Sequence, residues 1–148
     1  MHDVDLTRLP EYCRVAAEIC GIEIPHSYPV MGSDAFRTGT GVHASAIIKA
    51  MNMGDEWLVD RVYSGVPASL FGLEQSIEVS PVSGLSNVRF WLQEHGYDPH
   101  DSVLCDAVFG LAKRSDHTLT RQEIEEEIAA CLEDAPPAPA SRPGGSDA

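Results

Sequence analysis

The chain has 148 residues, of which 43% are hydrophobic, and a formal net charge of −13 at pH 7. This length is enough to bury one core, whereas the negative charge argues against nucleic-acid binding, which needs clustered Lys and Arg. No apolar run is long enough to span a membrane and the N-terminus lacks the pattern of a secretory signal, so the expected compartment is the cytoplasm.

The first predicted element is an amphipathic helix near the N-terminus. Leu6, Leu9, Cys13 and Cys20 recur at helical steps, and Gly21 follows as a C-terminal stop. The two cysteines share one helical face with the leucines. We therefore expect them to pack as small core hydrophobes.

Two helices are predicted after a glycine-rich turn. The apolar pattern predicts one helix from about His43 to Met53, which Gly54 ends. Asp55 can cap a second, short helix that runs to Tyr63.

One strand is predicted between Gln75 and Ser80, where Ile77 and Val79 alternate with polar residues. A lone strand leaves backbone groups unpaired. It must therefore pair with its own copy in a dimer, with a segment near residues 22–24, or with a partner chain.

Three helices are predicted in the C-terminal half. The first covers about residues 86–95, with Ser86 as its cap, and the second follows residues 98–101. Thr120 and Glu123 have the spacing of a capping box, which predicts the start of the last helix.

These elements predict a mainly α fold, of the α+β kind with one or two short strands. A helical accessory domain is expected over residues 1–133, and a division into two small lobes, 1–72 and 73–133, stays open. Residues 134–148 are rich in Pro, Ala and Gly, and we expect a disordered tail. The four cysteines form no C-x-x-C pair, so neither a disulfide framework nor a thiolate metal site is expected.

The sign of a functional site lies in the run from Tyr28 to His43. Gly39 and Gly41 let the backbone approach a ligand closely, and His43 stands at the start of the following helix. An imidazole there can donate a proton or a hydrogen bond. A structural histidine that bonds nearby backbone is the plainer alternative.

Five short motifs stand in order over roughly residues 5–113. They are Pro29-Val-Met-Gly32 with Ala35-Phe36, Gly41-Val42-His43, Lys49, Tyr63 nine residues before Gly72, and Ser83-Gly84-Leu-Ser-Asn-Val88. In this order they resemble the C-terminal region of the isopropylmalate, citramalate and homocitrate synthases. Those enzymes have a TIM barrel that binds a divalent metal and a 2-oxo acid, followed by helical subdomains. Only the subdomains are matched, because the barrel motifs are missing from this sequence.

The resemblance implies two catalytic residues. In the family the histidine at the position of His43 reaches the active site of the neighbouring protomer, and the tyrosine matched by Tyr63 lies near the same site. A phenol can donate a hydrogen bond to a developing enolate or carboxylate. Packing at a helix end is the alternative for Tyr63. Most members carry a further histidine near the position of Thr38, so its role does not transfer to this chain.

Five further residues are candidates for substrate binding. They are Arg37, Thr40, Lys49, Ser83 and Asn87. The two basic side chains can pair with a carboxylate or a CoA phosphate, and the last two open a helix whose backbone amides can bind an anion. Ordinary surface charge and simple helix capping are the alternatives.

Two functions remain open from the sequence. In the first, the chain is an accessory subunit that completes the active site of a separate TIM-barrel synthase. No cofactor or metal is then expected on this chain alone, because the barrel carries the divalent metal and acetyl-CoA. In the second, it is a non-catalytic interaction or regulatory module. A fragment of a longer enzyme is a third possibility, and a homodimer is expected for the isolated chain, without nucleic-acid or membrane partners.

Overall fold

Six α-helices account for about half of residues 4–133, the part of the chain that this computed structural model describes. They are α1 Leu9–Cys20, α2 Gly41–Asn52, α3 Glu56–Val59, α4 Leu85–Glu94, α5 Ser102–Arg114 and α6 Arg121–Glu133. The prediction of a mainly α fold with short strands is confirmed. None of these helices is long and apolar enough to cross a membrane. The tail predicted over 134–148 lies outside the described residues.

The two strands, β1 Arg37–Thr38 and β2 Ser76–Ile77, pair in parallel within the chain. Arg37 lies beside Ser76, and Thr38 lies beside Ile77. The predicted strand near Ile77 therefore exists but is shorter than expected. Residues 22–24, one of its three predicted partners, do not pair with it, whereas pairing with a second copy or another chain stays a prediction. The true partner has only two residues, too few to show an alternating pattern.

The larger core lies between α4, α5 and α6. Its buried members are Val79, Val88, Trp91, Leu92, Leu104, Cys105, Val108, Ala112, Leu119, Ile124 and Ile128. Burying a Leu or Ile side chain contributes roughly 1.5–3 kcal/mol relative to leaving it in water. This three-helix core is therefore the main source of hydrophobic stabilisation, and through Val79 it supports the chain just after β2.

A smaller core lies under α2 and positions the candidate site. Ala44, Ile47 and Ile77 are buried there, and Val62 and Phe90 are among the partly buried side chains that pack against them. α2 contacts both α3 and α4. The start of α2 and the chain after α3 are thus held by one cluster, while the predicted division into lobes at residue 72 stays a prediction.

Side-chain caps fix the starts of α3 and α5. The Asp55 carboxylate accepts from the Leu58 amide at 2.9 Å, as predicted. The Asp101 carboxylate accepts from the amides of Val103 and Leu104 at 2.9 and 3.2 Å. α3 ends at Val59, before the predicted end at Tyr63.

The start of α4 differs from the prediction. The helix begins at Leu85, so Ser86 lies inside it and is not its cap. Asn87 makes the capping contact instead, because its Oδ1 accepts from the Gly84 amide at 3.2 Å. The Ser86 hydroxyl lies 2.7 Å from the hydroxyl of Ser45 on α2. Ser86, which the sequence predicted as a helix cap, instead makes a contact between α2 and α4.

α1 is only lightly packed, although Gly21 ends it in a left-handed conformation as predicted. Ala17 is its one buried residue. Cys13 is half-buried and Cys20 is exposed, so the prediction that both are core residues is wrong for Cys20. The face they share borders a groove formed with residues 22–31, not another helix.

α2 and α4 approach so closely at their starts that Gly41 has no room for a side chain. A Cβ atom on Gly41 would lie 2.6 Å from the Gly84 nitrogen and 3.0 Å from its Cα. We predict that Gly41→Ala lowers the free energy of unfolding by about 1–3 kcal/mol, because rigid backbone must move. Urea denaturation measures the change.

Gly110→Ala is the matched control. It lies inside α5, and a Cβ there would meet only the flexible Arg114 side chain at 3.1 Å. Alanine is favoured over glycine in a helix by about 1 kcal/mol, so this variant is expected to be neutral or more stable. Equal effects of the two substitutions would contradict the steric argument.

The predicted capping box of α6 is present and is extended by a histidine. The Glu123 carboxylate accepts from the amide and the hydroxyl of Thr120, both at 2.7 Å, and lies 2.8 Å from His117 Nε2. The bonds from Thr120 and then His117 lower the pKa of Glu123 to about 2. Hydrogen bonds to Asp116 and Glu123 raise the pKa of His117 above 6.5.

We predict two pH limits for the stability of this helix start. Because the pKa of Glu123 is depressed, its contribution is complete above 4.5 and is lost as the pH falls towards about 2. Because the pKa of His117 is raised, its contribution is complete below 6.5 and is lost as the pH rises through the folded-state value. In urea midpoints measured against pH, Glu123→Gln should make the acid limb smaller, while the limb that Asp60 and Glu78 contribute remains. The same limb in the control Glu126→Gln should be unchanged.

Candidate functional site

The two residues predicted as catalytic, His43 and Tyr63, lie in direct contact. Their ring centroids are 4.1 Å apart and the ring planes differ by 19°. His43 is half-buried in the first turn of α2, whereas the Tyr63 side chain is 61% exposed in the loop after α3. The stack therefore stands at the surface, where another molecule can reach the phenol.

The position of His43 follows from how the turn before α2 is held. The carbonyl oxygen of Gly39 accepts hydrogen bonds from the hydroxyls of Ser83 and Ser80 at 2.7 and 3.2 Å. Thr40 is the residue before α2 and makes no capping bond with its side chain. The turn is thus fixed by side chains from the C-terminal half, and Thr40 stays a predicted substrate contact.

Tyr63 has a left-handed backbone, with φ at 57°, as have Val30 and Phe36 at 65° and 63°. These are the non-glycine residues with positive φ in the described part of the chain, and all three line one cavity of about 430 Å³. Such conformations cost of order 1–3 kcal/mol each and cluster at functional sites. The cavity beside Tyr63 is therefore the candidate ligand-binding space.

Arg37 lines this cavity and is already paired with a carboxylate. Its Nε donates to Glu78 Oε1 at 2.9 Å, and the Ser76 hydroxyl donates to the same oxygen at 2.7 Å. Burial raises the pKa of Glu78, but the bonds from Arg37 and Ser76 outweigh it and keep the pKa below 4.5. Asp34 also lines the cavity. An anionic ligand that binds Arg37 would therefore compete with Glu78 and lie near the negative charge of Asp34.

Ser83 and Asn87 are buried, with 2% and 0% exposure, and their polar atoms bond to backbone. Asn87 Nδ2 donates to the carbonyl oxygens of Glu78 and Gly39 at 2.9 and 3.4 Å. In this arrangement both residues support the site from beneath. Their assignment as substrate contacts stays a prediction, as does that of Lys49, which is exposed in the last turn of α2.

Two residues that shape the site were missed from the sequence. Glu78 was taken only as a polar residue of an alternating strand, although it holds Arg37. Asp60, which is buried after α3 and bonds to Ser69, belongs to no motif. Over residues 4–133, no three His, Cys, Asp or Glu side chains converge as a metal site would require.

Comparison with known proteins decides the family. No family model matches the chain. A homocitrate synthase of Pyrococcus horikoshii is 31% identical over 123 residues, which cover 83% of this chain and 31% of that protein. A homocitrate synthase of Pyrococcus abyssi is 30% identical over 113 residues, 76% of this chain and 28% of that protein. An (R)-citramalate synthase of Aquifex aeolicus is 30% identical over 118 residues, 76% of this chain and 21% of that protein.

Over most of its length, this chain is homologous to homocitrate and citramalate synthases. The resemblance read from the short motifs is confirmed. The chain spans about a third or less of the length of these relatives. Its own part in a synthase reaction is therefore a matter for proposal.

The structural importance of the Asn87 side chain can be tested directly. We predict that Asn87→Ala lowers the free energy of unfolding by about 1–3 kcal/mol, because the Gly84 amide and the Glu78 carbonyl lose a buried partner. Thermal and urea denaturation measure the loss. Asn52→Ala, at the exposed end of α2, is the control and should change stability by less than about 0.5 kcal/mol. Equal stability of the two variants would contradict the proposed network.

Proposed function

We propose that this chain is an accessory subunit that supplies His43 and Tyr63 to the active site of a separate TIM-barrel synthase. The proposed reaction condenses the acetyl group of acetyl-CoA with a 2-oxo acid. The observation that carries the proposal is the His43–Tyr63 stack at 4.1 Å. It joins the two residues that the family resemblance assigns to catalysis, on a chain whose relatives are homocitrate and citramalate synthases.

The condensation needs donors of the kind that the stack provides. The acetyl methyl group loses a proton to a base, its carbon bonds to the keto carbon of the 2-oxo acid, and the keto oxygen takes up a proton. Hydrolysis of the thioester then releases CoA with a free thiol. We assign to His43 and Tyr63 the donation of hydrogen bonds or a proton to oxygen atoms that gain charge in these steps. The divalent metal, the acetyl-CoA site and the base belong, under this proposal, to the barrel.

The exposure of the stack supports docking of a partner over it. Donors aimed at a developing charge are worth far more where water is excluded than where it competes. Val42, next to His43, is 69% exposed, and Val66, which lines the cavity with Tyr63, is 43% exposed. Trp57 of α3 is 65% exposed. A partner that covers these apolar side chains would exclude water from the stack.

Release of CoA thiol from acetyl-CoA and a 2-oxo acid tests the proposal. The chain is mixed with a barrel-bearing synthase chain that lacks these subdomains, and thiol release is followed with a chromogenic disulfide. We predict that His43→Ala lowers the rate by at least about 100-fold, in the range of lost proton-transfer catalysis. Tyr63→Phe keeps the ring stack but removes the hydroxyl, and it should lower the rate by at least about 10-fold.

His100→Ala and Tyr12→Phe are matched controls, because both residues are exposed and lie outside the stack and its cavity. Both should keep the rate of the unchanged chain. Analytical ultracentrifugation checks that every variant still forms the complex. A rate that His43→Ala leaves unchanged in an intact complex would remove the subunit proposal and favour a non-catalytic interaction module.

A further inference from the structure

A buried carboxylate closes the loop that carries Tyr63. Asp60 lies directly after α3 and is only 9% exposed. Its Oδ1 accepts from the Ser69 amide at 3.0 Å and its Oδ2 accepts from the Ser69 hydroxyl at 2.6 Å. These two bonds join residues nine positions apart. Tyr63 lies inside the segment that they close.

The charge on Asp60 strengthens this closure. Burial raises the pKa of Asp60, but the two hydrogen bonds from Ser69 and the charge of Arg61 outweigh it and keep the pKa below 3.8. Arg61 Nη1 lies 3.5 Å from Asp60 Oδ2, and its guanidinium lies over the Trp57 ring at 4.9 Å. Hydrogen bonds to an ionised acceptor are roughly twice as strong as neutral ones.

The closed loop explains how Tyr63 keeps a strained backbone. A left-handed tyrosine relaxes to negative φ unless its surroundings prevent it. Next to it, the Ser64 amide donates to the Arg61 carbonyl at 3.2 Å, and the Ser64 hydroxyl donates to the Val66 carbonyl at 2.6 Å. These contacts lie within the loop, whereas the Asp60–Ser69 bonds fix its two ends.

We propose that Asp60 is a positioning residue, which holds the Tyr63 ring against His43 by closing residues 60–69 through Ser69. Without the carboxylate the ends of the loop separate, Tyr63 leaves the left-handed region and the ring stack opens. This geometric statement concerns the chain alone. Its consequence for condensation rests on the proposed function.

The test uses the isolated full-length chain and proton NMR. In the unchanged chain, Tyr63 and His43 ring protons should show mutual nuclear Overhauser contacts and ring-current shifts, since the centroids are 4.1 Å apart. Asp60→Ala should abolish both signals. Asp60→Asn should restore most of them, because its amide can accept from the Ser69 amide and donate to the Ser69 hydroxyl. Ser69→Ala keeps the backbone bond and should give an intermediate loss.

Asp101→Ala is the control for a general loss of stability. Asp101 also accepts two backbone amides, at the start of α5, so this variant should weaken the fold and keep the ring signals. Unchanged ring contacts in Asp60→Ala would overturn the proposal. Should Asp60→Ala fail to fold, Ser69→Ala decides, and unchanged ring contacts there would overturn it equally.

The thiol-release assay separates this proposal from the proposed function. In the complex with the barrel chain, Asp60→Ala should lower the rate by about 100-fold, the scale expected when a catalytic group is displaced by about 1 Å, and Asp60→Asn should recover most of it. The NMR measurement needs neither partner nor substrate. A failure of the synthase assay with His43→Ala would therefore leave the geometric result readable on its own.

Discussion

The carbonyl oxygen of Gly39 is the contact on which the arrangement of the site depends. It accepts from the hydroxyls of Ser83 and Ser80 and from the amide of Asn87, all three of which are buried. Asn87 also holds the carbonyl of Glu78 at the end of β2. One buried network thus fixes the short sheet and the turn before α2 together. A buried acceptor without a hydrogen-bond partner costs free energy, so other conformations of this turn are disfavoured.

The position of His43 therefore depends on residues in the C-terminal half of the chain. The three donors to Gly39 come from residues just before and within α4, which belongs to the three-helix core. The approach of Gly41 to Gly84 adds a steric constraint at the same point. A histidine in the first turn of α2 is therefore positioned by residues about forty places further along the chain.

Apolar periodicity predicted the helices well because a helical face must be buried along its whole length. It failed to predict burial where a helix face packs against a loop and not against another helix or a strand. Cys20 lies on the apolar face of α1, yet that face meets a loop groove and the thiol is exposed. The partner of β2 was missed because β1 has two residues, and Ser86 was misassigned because the pattern locates a helix start only to within a residue or two.

Candidate site residues could be named from the sequence, but the contacts between them could not. His43 and Tyr63 stood out by resemblance to the synthases, while their stacking depends on how α2 packs on α3. The pairing of Arg37 with Glu78 joins two strands that no local pattern brings together. The bond from Asp60 to Ser69 closes a loop whose length carries no signature. Tertiary contacts of this kind cannot be predicted from the spacing of residues in the sequence.

A stack at the surface and a strained loop are what the proposed function requires of a site that a partner completes. In water, an imidazole and a phenol offer a reacting oxygen little that the solvent does not already offer. Under a covering partner the same donors gain strength, provided that they need not be ordered on docking. The left-handed backbone of Tyr63 and the buried carboxylate of Asp60 supply that order in advance. Under the proposed function, the strain is a property of the free chain, and its benefit is realised only in the complex.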